Sequence, residues 1–145
     1  MLISQSPYLT VAANAFAAIF VGFGVNAKVR PGHGLTFFER SMSQKPSDRK
    51  TVEGIMAVYG IRDVFMGRAI YIANNVISTT ESNANSKAAS SGWMLLAASG
   101  VAFFDGLVCW RSGSGGQMNH WGYAPMIALV GLSLLEVFDA TAAEY

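Results

Sequence analysis

The sequence predicts an all-α fold, a four-transmembrane-helix bundle, and three observations support this prediction. Hydrophobic residues make up 52% of the 145 residues and charged residues only 13%, against roughly 25% charged in an ordinary soluble domain. The mean hydropathy is positive. The apolar residues gather into four stretches near the roughly 20 residues that a helix needs to cross a bilayer. No shift in composition divides the chain, so residues 1–145 are expected to form a single domain.

The four predicted spans cover about 8–27, 52–78, 88–110 and 121–138. No Asp, Glu, Lys or Arg precedes Lys28, which marks the first span clearly. Its small residues also fit the alternative of a cleaved signal peptide, although no basic residue begins it. The connecting segments 28–51, 79–87 and 111–120 are rich in Gly, Pro, Ser and Asn, as loops are.

The basic residues of the loops predict an orientation. The second loop carries only Lys87 and the third carries Arg111, whereas the first loop carries six basic residues: Lys28, Arg30, Arg40, Lys45, Arg49 and Lys50. The positive-inside rule then places loops one and three in the cytosol and both termini on the other side. We therefore expect a multi-pass integral membrane protein whose partners are the lipid bilayer and a lipophilic small molecule. The sequence does not decide whether the protein forms a homo-oligomer.

Several function classes are disfavoured by composition. The net charge of +1 and the lack of a basic stripe argue against nucleic-acid binding. A single cysteine, Cys109, excludes an internal disulfide. The two histidines, His33 and His120, stand far apart and outside any metal-ligand spacing, so we expect neither a metal nor another cofactor.

Ionisable residues inside the predicted spans are the strongest functional signal. The second span contains Arg62, Asp63 and Arg68, and the third contains Asp105. Each costs at least about 2.5 kcal/mol near the bilayer centre, so such residues normally face the bundle interior and find partners. At 1.5 Å per residue, Asp63 lies about 16 Å and Asp105 about 8 Å from the cytosolic surface.

These positions predict one polar pocket open to the cytosolic half of the bundle. Its candidate catalytic residues are Tyr59, Arg62, Asp63, Asp105 and His120. Its candidate substrate-binding residues are Asn74, Arg68, Asn119 and Trp121. In one interpretation Arg62 forms a buried ion pair that fixes the helix register. In the other, two carboxylates with different environments in a low-dielectric site act as acid and base.

The segment GIRDVFMGRAIYIA, the pair Asp105-Gly106 and the segment Asn119-His120-Trp121 resemble a family of small four-helix membrane proteins. Its members occur in bacteria and in fungal polyketide gene clusters, and some are membrane-bound epoxide hydrolases of aurovertin- and citreoviridin-type pathways. The resemblance implies cofactor-free opening and cyclisation of a lipophilic polyketide-derived epoxide in the endoplasmic reticulum membrane.

On this resemblance Asp63 and Asp105 would be the acid and the base, in an order that the sequence leaves open. Arg62 would orient one carboxylate, and Tyr59 and His120 would donate hydrogen bonds or relay protons. Two alternatives remain. One is a cofactor-free oxygenase of the anthrone oxygenase type, with His120 as the base. The other is a non-catalytic membrane scaffold or transport subunit.

Overall fold

The computed structural model describes residues 2–76 and 84–139, with side chains from residue 87 onward in the second range. Within these ranges the chain is all-helical, without strands. Six α-helices follow in chain order: α1 (Pro7–Val29), α2 (Pro31–Gly34), α3 (Pro46–Asn75), α4 (Ala84–Arg111), α5 (Gln117–Trp121) and α6 (Ala124–Leu134). Short 3-10 helices cover Ile3–Gln5 and Leu35–Phe38.

All four prolines of the chain lie in the first turn of a helix. Pro7, Pro31 and Pro46 begin α1, α2 and α3, and Pro125 is the second residue of α6. A first-turn backbone N–H has no partner inside the helix, so proline loses nothing there, and its fixed φ suits the helix. The positions of the prolines therefore set most of the helix starts.

The helices α1 and α3 pack at unusually short distance because glycines face each other. A Cβ on Gly24 would collide with the carbonyl oxygen of Gly60, and a Cβ on Gly60 would collide with that of Gly24. Further along the pair, Gly67 lies against the backbone of Ala17 in the same way. Small residues of this kind let two helix backbones approach closely, which is typical of packing in membranes.

A similar glycine contact joins α4 to α6, where Gly92 and Gly131 lie against each other's backbone. One apolar core runs between the long helices and α6, and its buried residues are Ala13, Ala17, Phe20, Ile70, Leu95, Ala98, Ile127 and Leu134. A smaller cluster of Ala27, Leu35 and Met56 anchors the Leu35–Phe38 turn on α1 and α3. This anchoring brings the first loop over one end of the helices.

Among the residues that the structure describes, two helices are long and apolar enough to cross a membrane, Pro7–Val29 and Lys87–Arg111. They coincide with the predicted first and third spans. Most of each helix lies outside the core, with apolar side chains such as Val11, Val25, Phe104 and Val108 exposed. Such surfaces fit a lipid environment better than water.

The second predicted span differs from α3 in its boundaries. The helix begins at Pro46 rather than near residue 52, so its first two turns are charged and polar. Its apolar outer face, with Ile55, Val58, Ile61 and Phe65 exposed, follows only after these turns. The predicted end of this span at residue 78 lies outside the described residues.

The fourth predicted span is not one continuous helix, and this prediction is corrected. Residues Gly122 and Tyr123 separate α5 from α6, because Pro125 has no N–H to continue the hydrogen bonding of the preceding turn. Helix α6 has 11 residues and ends in turns that include Glu136 at φ +62°. At 1.5 Å per residue it covers about 16 Å, half of a bilayer core.

Candidate active site

The centre of the site is an ion pair between α3 and α4. Arg62 Nη1 donates a hydrogen bond of 3.0 Å to Asp105 Oδ1, and Nη2 donates one of 2.7 Å to Oδ2. Two parallel hydrogen bonds of this kind fix the guanidinium and the carboxylate in one plane. The two helices therefore meet in a defined register at this point.

The same guanidinium also contacts a second carboxylate. Arg62 Nε and Nη2 each donate to Asp63 Oδ1 at 3.2 Å. The side chain of Asp63 is only 3% exposed, against 17% for Asp105 and 35% for Arg62. Among the described residues, no group donates to Asp63 Oδ2. Two carboxylates thus share one cation, which leaves one negative charge unbalanced if both are ionised.

Aromatic rings surround this cluster on one side. The Arg62 guanidinium carbon lies 4.2 Å from the ring centroid of Tyr59, a cation–π distance. Phe38, from the first loop, lies 5.2 Å from the ring of Tyr59 and 5.0 Å from that of His120. The first loop therefore closes the aromatic wall between α3 and α5.

His120 is 1% exposed, and its Nε2 has no hydrogen-bond partner among the described residues. Its Nδ1 lies 3.4 Å from the hydroxyl of Tyr123, a long hydrogen bond. Nε2 is therefore free to contact a ligand.

A shallow, open depression on the outer face of α3 borders the cluster and is lined by Tyr59, Arg62 and residues one to three turns earlier on the same helix, among them Ile55 and Val58. Its wall is mostly apolar. A lipophilic molecule approaching from the side could therefore reach the guanidinium, the most exposed member of the cluster.

The structure brings together all five candidate catalytic residues. The four candidate substrate-binding residues lie elsewhere. Asn74 is buried and donates to Thr10 O and Asn14 Oδ1 at 3.0 Å, so it links α3 to α1. It lies 11 residues from Asp63, about 16 Å along the helix. Arg68 is exposed in a groove between α1 and α3.

The other two lie beside the site without entering it. Asn119 is exposed and donates to Phe37 O at 3.0 Å, which ties α5 to the first loop. Trp121 stacks on Phe103 and donates to its carbonyl oxygen at 3.0 Å, with its indole against Gly106. Both hold α5 in place next to Asp105.

The sequence did not indicate Phe38 as a residue of the site, and it placed Tyr123 beside His120 at the start of the fourth span without a role. Phe38 lies in the first loop, whose basic residues were used only to predict the membrane orientation. The apolar residues around it in GLTFFER could have indicated that this part of the loop is packed on the helices. Tyr123 lies in the break between α5 and α6, which the sequence analysis did not predict. No group of three metal-ligating side chains occurs among the residues that the structure describes.

Over the described ranges, the chain is all-helical, with two helices long and apolar enough to cross a membrane and an Asp-Arg-Asp cluster between α3 and α4. The chain belongs to the family described as a domain of unknown function, DUF4267, whose profile matches residues 17–134. The match includes every residue of the cluster and its aromatic wall. Comparisons with curated proteins and with solved structures each give no match.

Proposed function

We propose that this protein is a multi-pass membrane enzyme that opens epoxides by cofactor-free acid and base catalysis. The observation that carries the proposal is the sharing of the Arg62 guanidinium by Asp63 and Asp105. Epoxide opening needs one group to take a proton from the nucleophile and another to protonate the departing oxygen. A pair of carboxylates held apart by one cation supplies both.

In this proposal the protein crosses the membrane four times, because α3 and the α5–α6 pair cross it together with α1 and α4. The outer faces of α3 and α6 are apolar, as those of α1 and α4 are, with Phe65 and Leu129 exposed. In this arrangement α5 and α6 form the fourth, broken crossing, and the first and third loops lie in the cytosol. The membrane would be that of the endoplasmic reticulum.

The geometry favours particular roles for the two carboxylates. Asp105 faces the guanidinium with both oxygens, which suits the ionised form and the role of base. Asp63 keeps Oδ1 on Arg62 while Oδ2 is free to carry a proton, which suits the acid. One proton on the pair also removes the unbalanced negative charge of the cluster.

In the reaction, Asp105 takes a proton from a water molecule or a substrate hydroxyl. The oxygen of that nucleophile forms a bond to an epoxide carbon, the carbon–oxygen bond of the ring breaks, and Asp63 protonates the oxygen released. The product is a diol when water attacks and a cyclic ether when a substrate hydroxyl attacks. Proton transfer from Asp105 back to Asp63 restores the starting state.

The substrate class follows from the surroundings of the cluster. The depression beside Tyr59 and Arg62 is mostly apolar, and Tyr59 also belongs to the aromatic wall. A hydrophobic, unsaturated chain carrying epoxides, as expected for a polyketide product, would match this wall and would dissolve in the bilayer.

The experiment is a substrate comparison on microsomes that contain the full-length protein, with empty microsomes as control. Conversion of a polyene-derived polyepoxide to a diol or cyclic ether, without oxygen consumption, is the expected result. Absence of conversion above the control would contradict the proposal.

A second candidate function rests on His120. Its buried Nε2 without a partner would suit a base that deprotonates an anthrone before reaction with oxygen. Oxygen consumption with an anthrone, lost in His120→Gln, would favour this function over epoxide opening. Inactivity in both assays would favour a scaffold or transport role, in which the cluster holds helices together.

A further inference from the structure

A groove between α1 and α3 lies apart from the candidate active site. Its volume is about 830 Å³, within the range of roughly 300–1,000 Å³ found for small-molecule sites. Its small residues include Gly22, beside which no other atom lies within 4 Å of an added Cβ, and Ala17 and Gly67, which pack against each other. Asn14 and Tyr71 add polar groups. None of the cluster residues lines this groove.

Arg68 gives the groove a charge without a partner. Its side chain is exposed and makes no hydrogen bond or ion pair with any residue that the structure describes. It follows Gly67, which touches the backbone of Ala17. Ala17 lies about 15 Å from the start of α1 and about 18 Å from its end, so Arg68 of α3 lies beside the middle of α1, a candidate span. A guanidinium at that depth is costly without a partner, and an anionic ligand would supply one.

We propose that this groove binds a single-chain lipophilic carboxylic acid, with its carboxylate on Arg68 and its hydrocarbon chain along the small residues of α1 and α3. The planar guanidinium matches a carboxylate through two hydrogen bonds. The chain replaces lipid against Gly22, where an added Cβ meets no atom within 4 Å.

The depth of Arg68 favours an acid of this kind over the headgroup of a phospholipid. A phospholipid keeps its charged phosphate at the interface, about 15 Å from the centre of a bilayer core 30 Å thick. A carboxylic acid can enter the core in its neutral form, pass its proton to water, and pair with the guanidinium as the carboxylate. The ion pair then forms where a charged headgroup would not reach.

Binding is measured on the full-length protein in dodecylmaltoside micelles with cis-parinaric acid, a fluorescent fatty acid, and with its methyl ester. Arg68→Gln is expected to weaken binding of the acid about ten-fold or more, the loss for a charged hydrogen bond, and to leave the ester unchanged. Gly22→Leu should abolish binding of both probes, because a side chain there meets no atom within 4 Å and fills the groove.

Gly100→Leu is the matched control. Gly100 is also free of neighbours within 4 Å, but it lines a different groove, between α4 and α6, so binding should be unchanged. Equal binding of the acid by wild type and Arg68→Gln would overturn the proposal, as would an equal loss in Gly22→Leu and Gly100→Leu. Displacement of the probe by phosphatidylglycerol would overturn the choice of ligand.

Size-exclusion profiles show whether each variant is folded. If Arg68→Gln is not recovered as a monodisperse protein, Arg68→Lys replaces it, because lysine keeps the charge and loses the paired hydrogen bonds. A several-fold loss of affinity for the acid alone is then expected, and an unchanged affinity would contradict the proposal.

Discussion

Arg62 of α3 and Asp105 of α4, 43 positions apart in the chain, join through two hydrogen bonds of 3.0 and 2.7 Å. The same two helices also share a hydrogen bond of 3.5 Å from Ser91 Oγ to Asn74 Oδ1, and Asp63 competes with Asp105 for the guanidinium. A structural ion pair needs one carboxylate. The second, buried carboxylate is the feature that a purely structural interpretation leaves without a purpose.

Arg62→Lys tests the geometry of this pair. Lysine keeps the charge but cannot bond both oxygens of Asp105 while contacting Asp63. We expect a loss of about 1–2 kcal/mol in the free energy of unfolding, moderated by the one-third exposure of the arginine. Thermal unfolding in detergent measures it. Arg49→Lys, in the exposed Arg49–Glu53 pair, should change stability by less than about 0.5 kcal/mol; equal losses would contradict the account.

Close packing of α1 on α3 predicts a contrast between two glycines of the same helix. Gly60→Ala forces a Cβ into the backbone of Gly24, so the free energy of unfolding should fall by about 1–3 kcal/mol. Gly54→Ala meets no atom within 4 Å and should raise stability by about 0.5–1 kcal/mol through helix propensity. Unfolding in mixed micelles compares them, and similar values for both would show that the helices do not pack as described.

The contacts of Asp139 indicate that it holds residues Ile3 and Ser4, near the N-terminus, in place. Its carboxylate accepts hydrogen bonds from the backbone N–H groups of Ile3 and Ser4 at 2.6 and 3.2 Å. Hydrogen bonding from Ser4 and Ile3 holds its pKa below the ordinary value. This contribution is present near neutral pH and is lost as the pH falls below about 4.

Asp139→Asn should therefore release the first residues at neutral pH. Limited proteolysis near Ile3 and amide exchange at Ile3 and Ser4 measure the release. Asp48→Asn, at an exposed carboxylate near the start of α3, serves as control. Equal protection in wild type and Asp139→Asn would argue against this contact.

The sequence was most informative where burying a charge in an apolar environment is costly. Charges within apolar stretches must find partners, so the meeting of Arg62, Asp63 and Asp105 could be anticipated from hydropathy alone. Sharing a helix face was less informative. Asn74 lies on the same face as Asp63, but its distance along α3 places it against Asn14 of α1. A periodic pattern predicts which face of a helix a residue occupies. Which residues it contacts along that face depends on the neighbouring helix.

The end of the chain and the first loop were harder to predict. Hydropathy continues across Gly122 and Tyr123, and the break there depends on the backbone requirement of Pro125. Phe38 reaches the site because Leu35 packs on Ala27 and Met56, a long-range contact that no local pattern contains. Both features lie next to His120, which is why the surroundings of this histidine were the least predictable part of the site.

The central claim is that Asp63 and Asp105 act together in epoxide opening. The measurement is the rate of polyepoxide conversion by microsomes containing wild type, Asp63→Asn, Asp105→Asn or Glu53→Gln, each normalised to folded protein. Glu53, in an exposed pair on α3, is the matched control. Loss of at least about 100-fold in both aspartate variants, with Glu53→Gln unchanged, is the expected result. Conversion that persists in Asp63→Asn and Asp105→Asn would contradict the claim.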